Sequence, residues 1–171
     1  MFDKKNLRFE TRQIHGGYSV DHTGSRGLAI YPTAAYHFKS CDHAANLFEL
    51  SEPGNIYTRL HNPTTAAYEQ RIASLYNAVG ALAVSSGMAA IFITVTALAQ
   101  AGDNIVAAPF LYGGTYNLFA VTMKRMGIEF TFVDPDCSDE ELEAAFRPNT
   151  KAVFGETIAN PALIVFDIER L

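Results

Sequence analysis

A chain of 171 residues can bury a core of its own, and this one is 49% hydrophobic and only 18% charged. That balance predicts apolar surface beyond what an isolated domain of this size carries, covered by more protein. A net charge of −5, with no basic cluster, argues against a nucleic-acid surface.

The longest apolar stretch, residues 88 to 101, contains Thr94, Thr96 and Gln100 and is too short to span a bilayer. The opening Met1-Phe2-Asp3-Lys4-Lys5 lacks an apolar signal core. Cys41 and Cys137 stand far apart with no CxxC, and the five histidines show no ligand spacing. The expectation is a cytoplasmic, metal-free protein.

Residues 1 to 40 read as an irregular arm. Phe9 to His15 can form a short helix stopped by Gly16-Gly17. Tyr18, Tyr31, Tyr36 and Phe38 follow among glycines and Pro32 with little periodicity. Such an arm is expected to lie on another surface, a second subunit being one candidate, because its aromatic content argues against a disordered tail. Asp42 can cap a helix through Leu50 that Pro53-Gly54 ends.

Asn62 as N-cap and Pro63 at the first helical position open the next helix, in which Tyr68, Ile72, Leu75 and Tyr76 share one face. Tyr57 and Arg59 stand just before it. In an extended segment, residues two apart point the same way. A phenol and a guanidinium together suit a phosphate, although this segment alone favours an ordinary surface pair.

Ala81-Leu82-Ala83-Val84 reads as a buried strand, since both faces lack polar side chains. Ser85-Ser86-Gly87 then turns the chain into a helix through Ile91, Val95 and Leu98. The first amides of that helix lack partners within it and lie at the positive end of its dipole. Gly87 admits a close approach, and Ser85 and Ser86 add hydroxyl donors, so the turn can seat a phosphate. Taken alone, a small-residue turn of this kind more often merely packs.

Ala101-Gly102-Asp103 closes that helix, and Asn104 to Pro109 makes a second strand. Leu111-Tyr112-Gly113-Gly114-Thr115 leads into a helix through Met126 that Gly127 ends. Ile128 to Val133 is a third strand. Ser138 with Glu141 is a capping box that opens a helix to Phe146. Lys151 to Gly155 is a fourth strand, running into Glu156-Thr157-Ile158-Ala159-Asn160-Pro161.

Strand and helix alternate from residue 81, which predicts a parallel α/β sheet covered on both faces. Ligands of such sheets lie at the carboxyl ends of the strands, where the Ser85–Met88 turn, Tyr112 and Asn160 all fall. After the apolar run Ala162 to Phe166, Asp167 looks like the N-cap of a helix starting Ile168-Glu169-Arg170-Leu171. One turn cannot sustain a helix, so the sequence reads as the front part of a longer protein.

With Tyr57-Thr58-Arg59, Asn62-Pro63-Thr64, Ser85-Ser86-Gly87-Met88, Leu111 to Thr115 and Glu156…Asn160-Pro161 in place, the chain resembles the Cys/Met-metabolism family. These are pyridoxal-phosphate (PLP) enzymes of fold type I. The resemblance runs from about Phe9 onward, and within the family it is greatest to the O-acetylhomoserine sulfhydrylases. It rests there on Ala44 to Glu52, Gly54 to Arg59 and Leu111 to Phe119.

The resemblance implies a fold: an arm and subunit-contact segment over residues 1–60, then over 61–171 the first part of a PLP-binding large domain. That domain is a mostly parallel sheet in three α/β/α layers. It also implies roles. Ser86, Gly87 and Met88 would hold the cofactor phosphate, and Tyr57 and Arg59 would reach that of the neighbouring subunit. Tyr112 would stack on the pyridine ring and relay a proton, and Asn160 would contact the cofactor's phenolic oxygen or the substrate carboxylate. The implied reaction replaces the acetate of O-acetylhomoserine by sulfide or a thiol, in a homotetramer whose sites are shared between subunits.

The family's cofactor-bearing lysine and its aspartate for the pyridine nitrogen are expected beyond residue 171. Lys151, in a stretch that superficially resembles a lysine motif, begins a strand at the wrong end, and neither Lys124 nor Lys39 is better placed. Asp134 and Asp167 are decoys for the aspartate. Two other readings compete: a γ-lyase or cystathionine γ-synthase of the same family, and a noncatalytic phosphate-binding or assembly module.

Overall fold

The computed structural model describes residues 7–170, so the reading of Met1–Lys5 and the placement of Leu171 lie outside the described residues. The chain forms two compact units that divide between Ala83 and Val84.

In the first unit, α1 (Phe9–His15) ends at Gly16 and Gly17 as the sequence predicts. Gly17 has φ +72°, and a Cβ there would lie 2.3 Å from the Arg71 amide nitrogen. Glycine therefore lets α1 close onto α3 (Pro63–Tyr76). Arg12 Nη1 donates to the Ser74 carbonyl at 2.5 Å and to Asn77 Oδ1 at 2.6 Å, and Arg71 Nε donates to the Gly16 carbonyl at 2.9 Å. Asn62 caps α3 by accepting the Thr64 amide at 2.9 Å. Asn77, at φ 52°, ends it.

Two local expectations change. The cap of α2 (Cys41–Phe48) is Ser40, whose hydroxyl accepts the His43 amide, and Asp42 lies in the first turn. A serine two residues earlier opens the helix before Asp42 can. The helix stops at Phe48 because Leu50 takes the left-handed conformation (φ 58°). In α3 the buried residues are Ala66, Ala67 and Ala73, whereas Tyr68 and Tyr76 are exposed. The close backbone contact with Gly17 selects the alanine face, where no bulky side chain stands in the way.

The arm is partly anchored within its own unit. Ala35 bridges Tyr57 in antiparallel fashion, and the Thr58 amide donates to the Ala34 carbonyl at 2.8 Å. Thr64 Oγ1 accepts the Tyr31 amide and donates to the Ala29 carbonyl.

The second unit is built on a parallel sheet of order β2-β1-β3, from β1 (Asn104–Ala107), β2 (Glu129–Phe132) and β3 (Thr150–Phe154). On one face lie α4 (Gly87–Leu98) and α5 (Gly113–Asn117), the latter continuing as a π-helical segment, Leu118–Met123, where the sequence predicts a uniform helix. Val95, Phe119 and Met123 meet Ile105, Ala107 and Ile128 in the core. The Phe119 ring stacks on Phe130 at 4.1 Å and stands edge-on to Phe154 at 4.9 Å. The other face carries α6 (Asp139–Ala145), with Leu142 and Phe166 near Val106 and Val153. The capping box of Ser138 and Glu141 is formed on both sides.

The segment Ala81–Val84 is not a strand. Ala81 and Leu82 are exposed, and the Ala83 amide donates to Glu69 Oε1 at 2.8 Å rather than to a ladder. An apolar tetrapeptide becomes a strand only where a partner offers its edge, and none does so here among the described residues. Nor does a helix begin at Ile168: Asp167 Oδ1 accepts the Glu169 amide in a local turn.

Asn104 is the polar centre of the sheet, fully buried at the start of β1. Its Nδ2 donates to Thr131 Oγ1 at 2.9 Å on β2, and its Oδ1 accepts from Thr150 Oγ1 at 2.8 Å on β3. Replacing it with alanine leaves two threonine hydroxyls without their partner, at about 1–3 kcal/mol for each group left unsatisfied. Asn104→Ala in the full-length protein should therefore lower the thermal unfolding midpoint by several degrees. An unchanged melting curve would show that the network contributes nothing to the sheet.

Candidate active site

The segments that leave the carboxyl ends of β1 and β3 carry Tyr112 and Asn160. Beyond Ala107, the chain reaches Tyr112 immediately before α5. The next turn is shaped for the tyrosine ring. A Cβ on Gly114 would lie 2.6 Å from Tyr112 Cε1 and 3.4 Å from Met88 Sδ, so only glycine leaves room for both. Thr115 is buried, with its hydroxyl 3.9 Å from Met88 Sδ. The Tyr112 ring is thus held over Gly114 beside the first turn of α4, yet 51% of the residue is exposed. The ring therefore keeps an exposed aromatic face.

Ser86 caps α4 by accepting the Ala89 amide at 3.1 Å. Because its oxygen is the acceptor, its own proton remains available to a ligand. The amides of Gly87 and Met88 have no intrahelical partner and lie where the dipole of a 12-residue helix is positive. Ser85, Ser86 and Gly87 are exposed, and a Cβ on Gly87 would meet nothing within 4 Å. Donors and open space coincide at one helix end, which is what an anion requires.

The third contribution follows β3. Glu156 Oε1 accepts the Tyr112 amide at 2.9 Å, and Glu156 Oε2 accepts the Asn160 amide at 3.2 Å. One carboxylate thus joins the loop that carries Tyr112 to the loop that carries Asn160. Asn160 is exposed and precedes a cis peptide bond to Pro161. Glu156 is absent from the predicted site residues. Its signal was its position directly after a strand, in the same short stretch as Asn160.

In the other unit, Tyr57 and Arg59 do meet, but not as an extended pair. The Leu60 and His61 amides both donate to the Tyr57 carbonyl, at 2.8 and 3.0 Å, so residues 57–60 form a turn. The anchoring of Thr58 to the arm fixes that turn. Arg59 Cζ then lies 5.2 Å from the centre of the Tyr57 ring. The guanidinium stacks as a cation on an aromatic face and makes no ion pair among the described residues.

The lysines fall where the sequence predicts. Lys151 is the residue skipped by the register irregularity of β3, and its Nζ lies 3.7 Å from Asp103 Oδ1. Asp103 immediately precedes β1, so Lys151 stands at the amino end of the sheet, away from Tyr112 and Glu156. Lys124 caps the π-helical segment, and Lys39 precedes α2.

PLP couples a phosphate to an aromatic ring. Here the residues fit such a molecule: free amides and a hydroxyl for the phosphate, and an exposed phenol ring beside them. Among the described residues no three His, Cys, Asp or Glu side chains gather as metal ligands, and no helix is long and apolar enough to cross a membrane.

Comparison with known proteins agrees with that fit. O-acetyl-L-homoserine sulfhydrylase 1 of Thermus thermophilus is 52% identical over 166 residues, which cover 96% of this chain and 39% of that protein. Homocysteine synthase of Schizosaccharomyces pombe is 51% identical over 164 residues, 95% of this chain and 38% of that protein. The chain therefore spans about two fifths of the length of these curated relatives. A Campylobacter jejuni crystal structure described as an O-acetylhomoserine (thiol)-lyase carries a pyridoxyl-lysine monophosphate. It matches with a TM-score of 0.89 at 41% identity, over 96% of this chain and 40% of that one. The family of Cys/Met metabolism PLP-dependent enzymes matches residues 10–171, and the chain belongs to that family.

Proposed function

We propose that this chain supplies part of the active site of a PLP-dependent O-acetylhomoserine sulfhydrylase, which exchanges acetate for sulfide or a thiol to give homocysteine or methionine. The observation that carries the reading is the convergence, at the carboxyl end of the sheet, of the open α4 terminus, the Tyr112 ring and the loop of Asn160. The high identity to an O-acetyl-L-homoserine sulfhydrylase and to a homocysteine synthase supports the choice of substrate and product. PLP, when bound, supplies an electron sink for bond cleavage at the substrate carbons.

The chain's own residues divide the remaining work. The amides of Gly87 and Met88, with the Ser86 hydroxyl, hold the phosphate and so fix the cofactor's position. The Tyr112 ring stacks on the pyridine, and its phenol moves a proton to or from the reacting substrate. The Asn160 side chain orients the cofactor's phenolic oxygen or the substrate carboxylate. Tyr57 and Arg59, on a pre-formed turn, reach the phosphate bound by a neighbouring subunit, and residues 1–60 serve as arm and subunit contact. The assembly is a cytoplasmic homotetramer with shared sites.

The full-length protein, supplied with O-acetylhomoserine and sulfide, should release acetate and form homocysteine. Failure there, with release of a keto acid from methionine or cystathionine, would replace this reading by that of a γ-lyase.

Tyr112→Ala should lower kcat/KM for O-acetylhomoserine by about 100-fold or more, the scale of a lost proton relay, with little change in melting temperature. Turnover equal to that of the parent protein would remove Tyr112 from catalysis.

Arg59→Ala should weaken retention of the cofactor by an order of magnitude or more, because a charge-assisted hydrogen bond contributes roughly 1.5–3 kcal/mol. Subunits carrying this change, mixed with subunits lacking the cofactor-bearing lysine, should recover activity, since one site of each hybrid then carries neither defect. Hybrids that form and stay inactive would exclude a role across the subunit boundary.

A further inference from the structure

We infer that Glu156 is a positioning residue, whose carboxylate sets the place of Tyr112 relative to Asn160 through their main-chain amides. The inference rests on the reading above, in which those two residues face the cofactor. A carboxylate has two oxygens and no proton to give at neutral pH, so it can accept an amide on each. Glu156 does so, with Oε1 on the Tyr112 amide at 2.9 Å and Oε2 on the Asn160 amide at 3.2 Å.

The sequence separation is 44 residues for the first bond and four for the second. The first therefore joins separate parts of the chain, and the second shapes the loop that follows β3. Tyr112 is the N-cap residue of α5, and Glu156 engages its main-chain amide at the point where the chain enters that helix. The base of the glutamate is itself fixed. It follows Gly155, where a Cβ would lie 2.6 Å from the Phe166 ring, so the backbone there is held close under an aromatic side chain.

The geometry predicts a graded outcome. In Glu156→Gln one oxygen survives as an acceptor, but the amide nitrogen that replaces the other can only donate, so one of the two bonds is lost. In Glu156→Ala both are lost. The effect on catalysis comes through Tyr112 and Asn160, and it should show as a fall in kcat larger than any rise in KM.

The test is hydrogen–deuterium exchange by mass spectrometry on the full-length holoenzyme, beside steady-state kinetics. In E156Q, peptides containing Tyr112 or Asn160 should exchange about tenfold faster than in the parent protein, and in E156A faster still. Peptides covering Ile105 to Ala107 should be unchanged, and the visible circular dichroism of the bound cofactor should shift. Should E156A fail to fold, E156Q carries the test, since it keeps the side-chain volume.

Unchanged exchange at both loops would overturn the inference. So would acceleration spread evenly over the sheet, which marks a merely structural role. Exchange is measured without substrate. A protein that makes no homocysteine would therefore defeat the sulfhydrylase reading alone, and unchanged exchange in a working enzyme would defeat this inference alone.

Discussion

β1 is paired on both sides by parallel strands, and parallel strands have no tight hairpin to fix how far one is slid along another. Asn104 supplies that fixing. Its single side chain engages Thr131 on one neighbour and Thr150 on the other, inside a site closed to water. A slip of one residue would break both bonds and exchange the side chains that the slipped strand presents to the two covered faces. It would also shift the far end of a strand by about 3.3 Å. That shift exceeds the tolerance of a hydrogen bond, so Glu156 could no longer hold the Tyr112 amide. Register set at the amino edge thus becomes geometry at the carboxyl edge.

The same sheet explains why an aromatic ring can be both exposed and well placed. The backbone that carries Tyr112 leaves a strand whose four residues are all buried. Gly114, Met88 and Thr115 shape the ring's seat, and the α4 terminus beside it keeps its amides free. Neither the ring nor the amides are used up by the fold. The proposed site therefore needs little rearrangement to receive a phosphate, because Ser85, Ser86 and Gly87 are exposed and a Cβ on Gly87 would meet nothing within 4 Å.

Much of the chain's apolar content lies outside its cores. Leu50, Val79 and Leu82 in the first unit are 86%, 113% and 71% exposed, and Leu98 in the second is 56% exposed although α4 has no charged residue. The low charge read from composition accounts for this, since surface positions that would ordinarily carry Lys or Glu carry aliphatic side chains instead.

Local chemistry was legible in the sequence. The Gly16-Gly17 stop, the Asn62-Pro63 opening and the Ser138–Glu141 capping box form as predicted, because each depends on a few neighbouring residues. The order of strands and helices beyond residue 104 was equally legible, and so was the placing of Tyr112 and Asn160 after strand ends. Other features depend on partners distant in the chain. Ala81–Val84 has a strand's composition but no ladder, and α3 buries alanines rather than tyrosines because Gly17 approaches that face. The 57–60 turn arises from hydrogen bonds to the arm, which an alternation rule cannot register. Glu156 is the plainest case: the sequence determined that a carboxylate would stand after β3, but only the tertiary structure brought the Tyr112 amide, 44 residues away, to its oxygen.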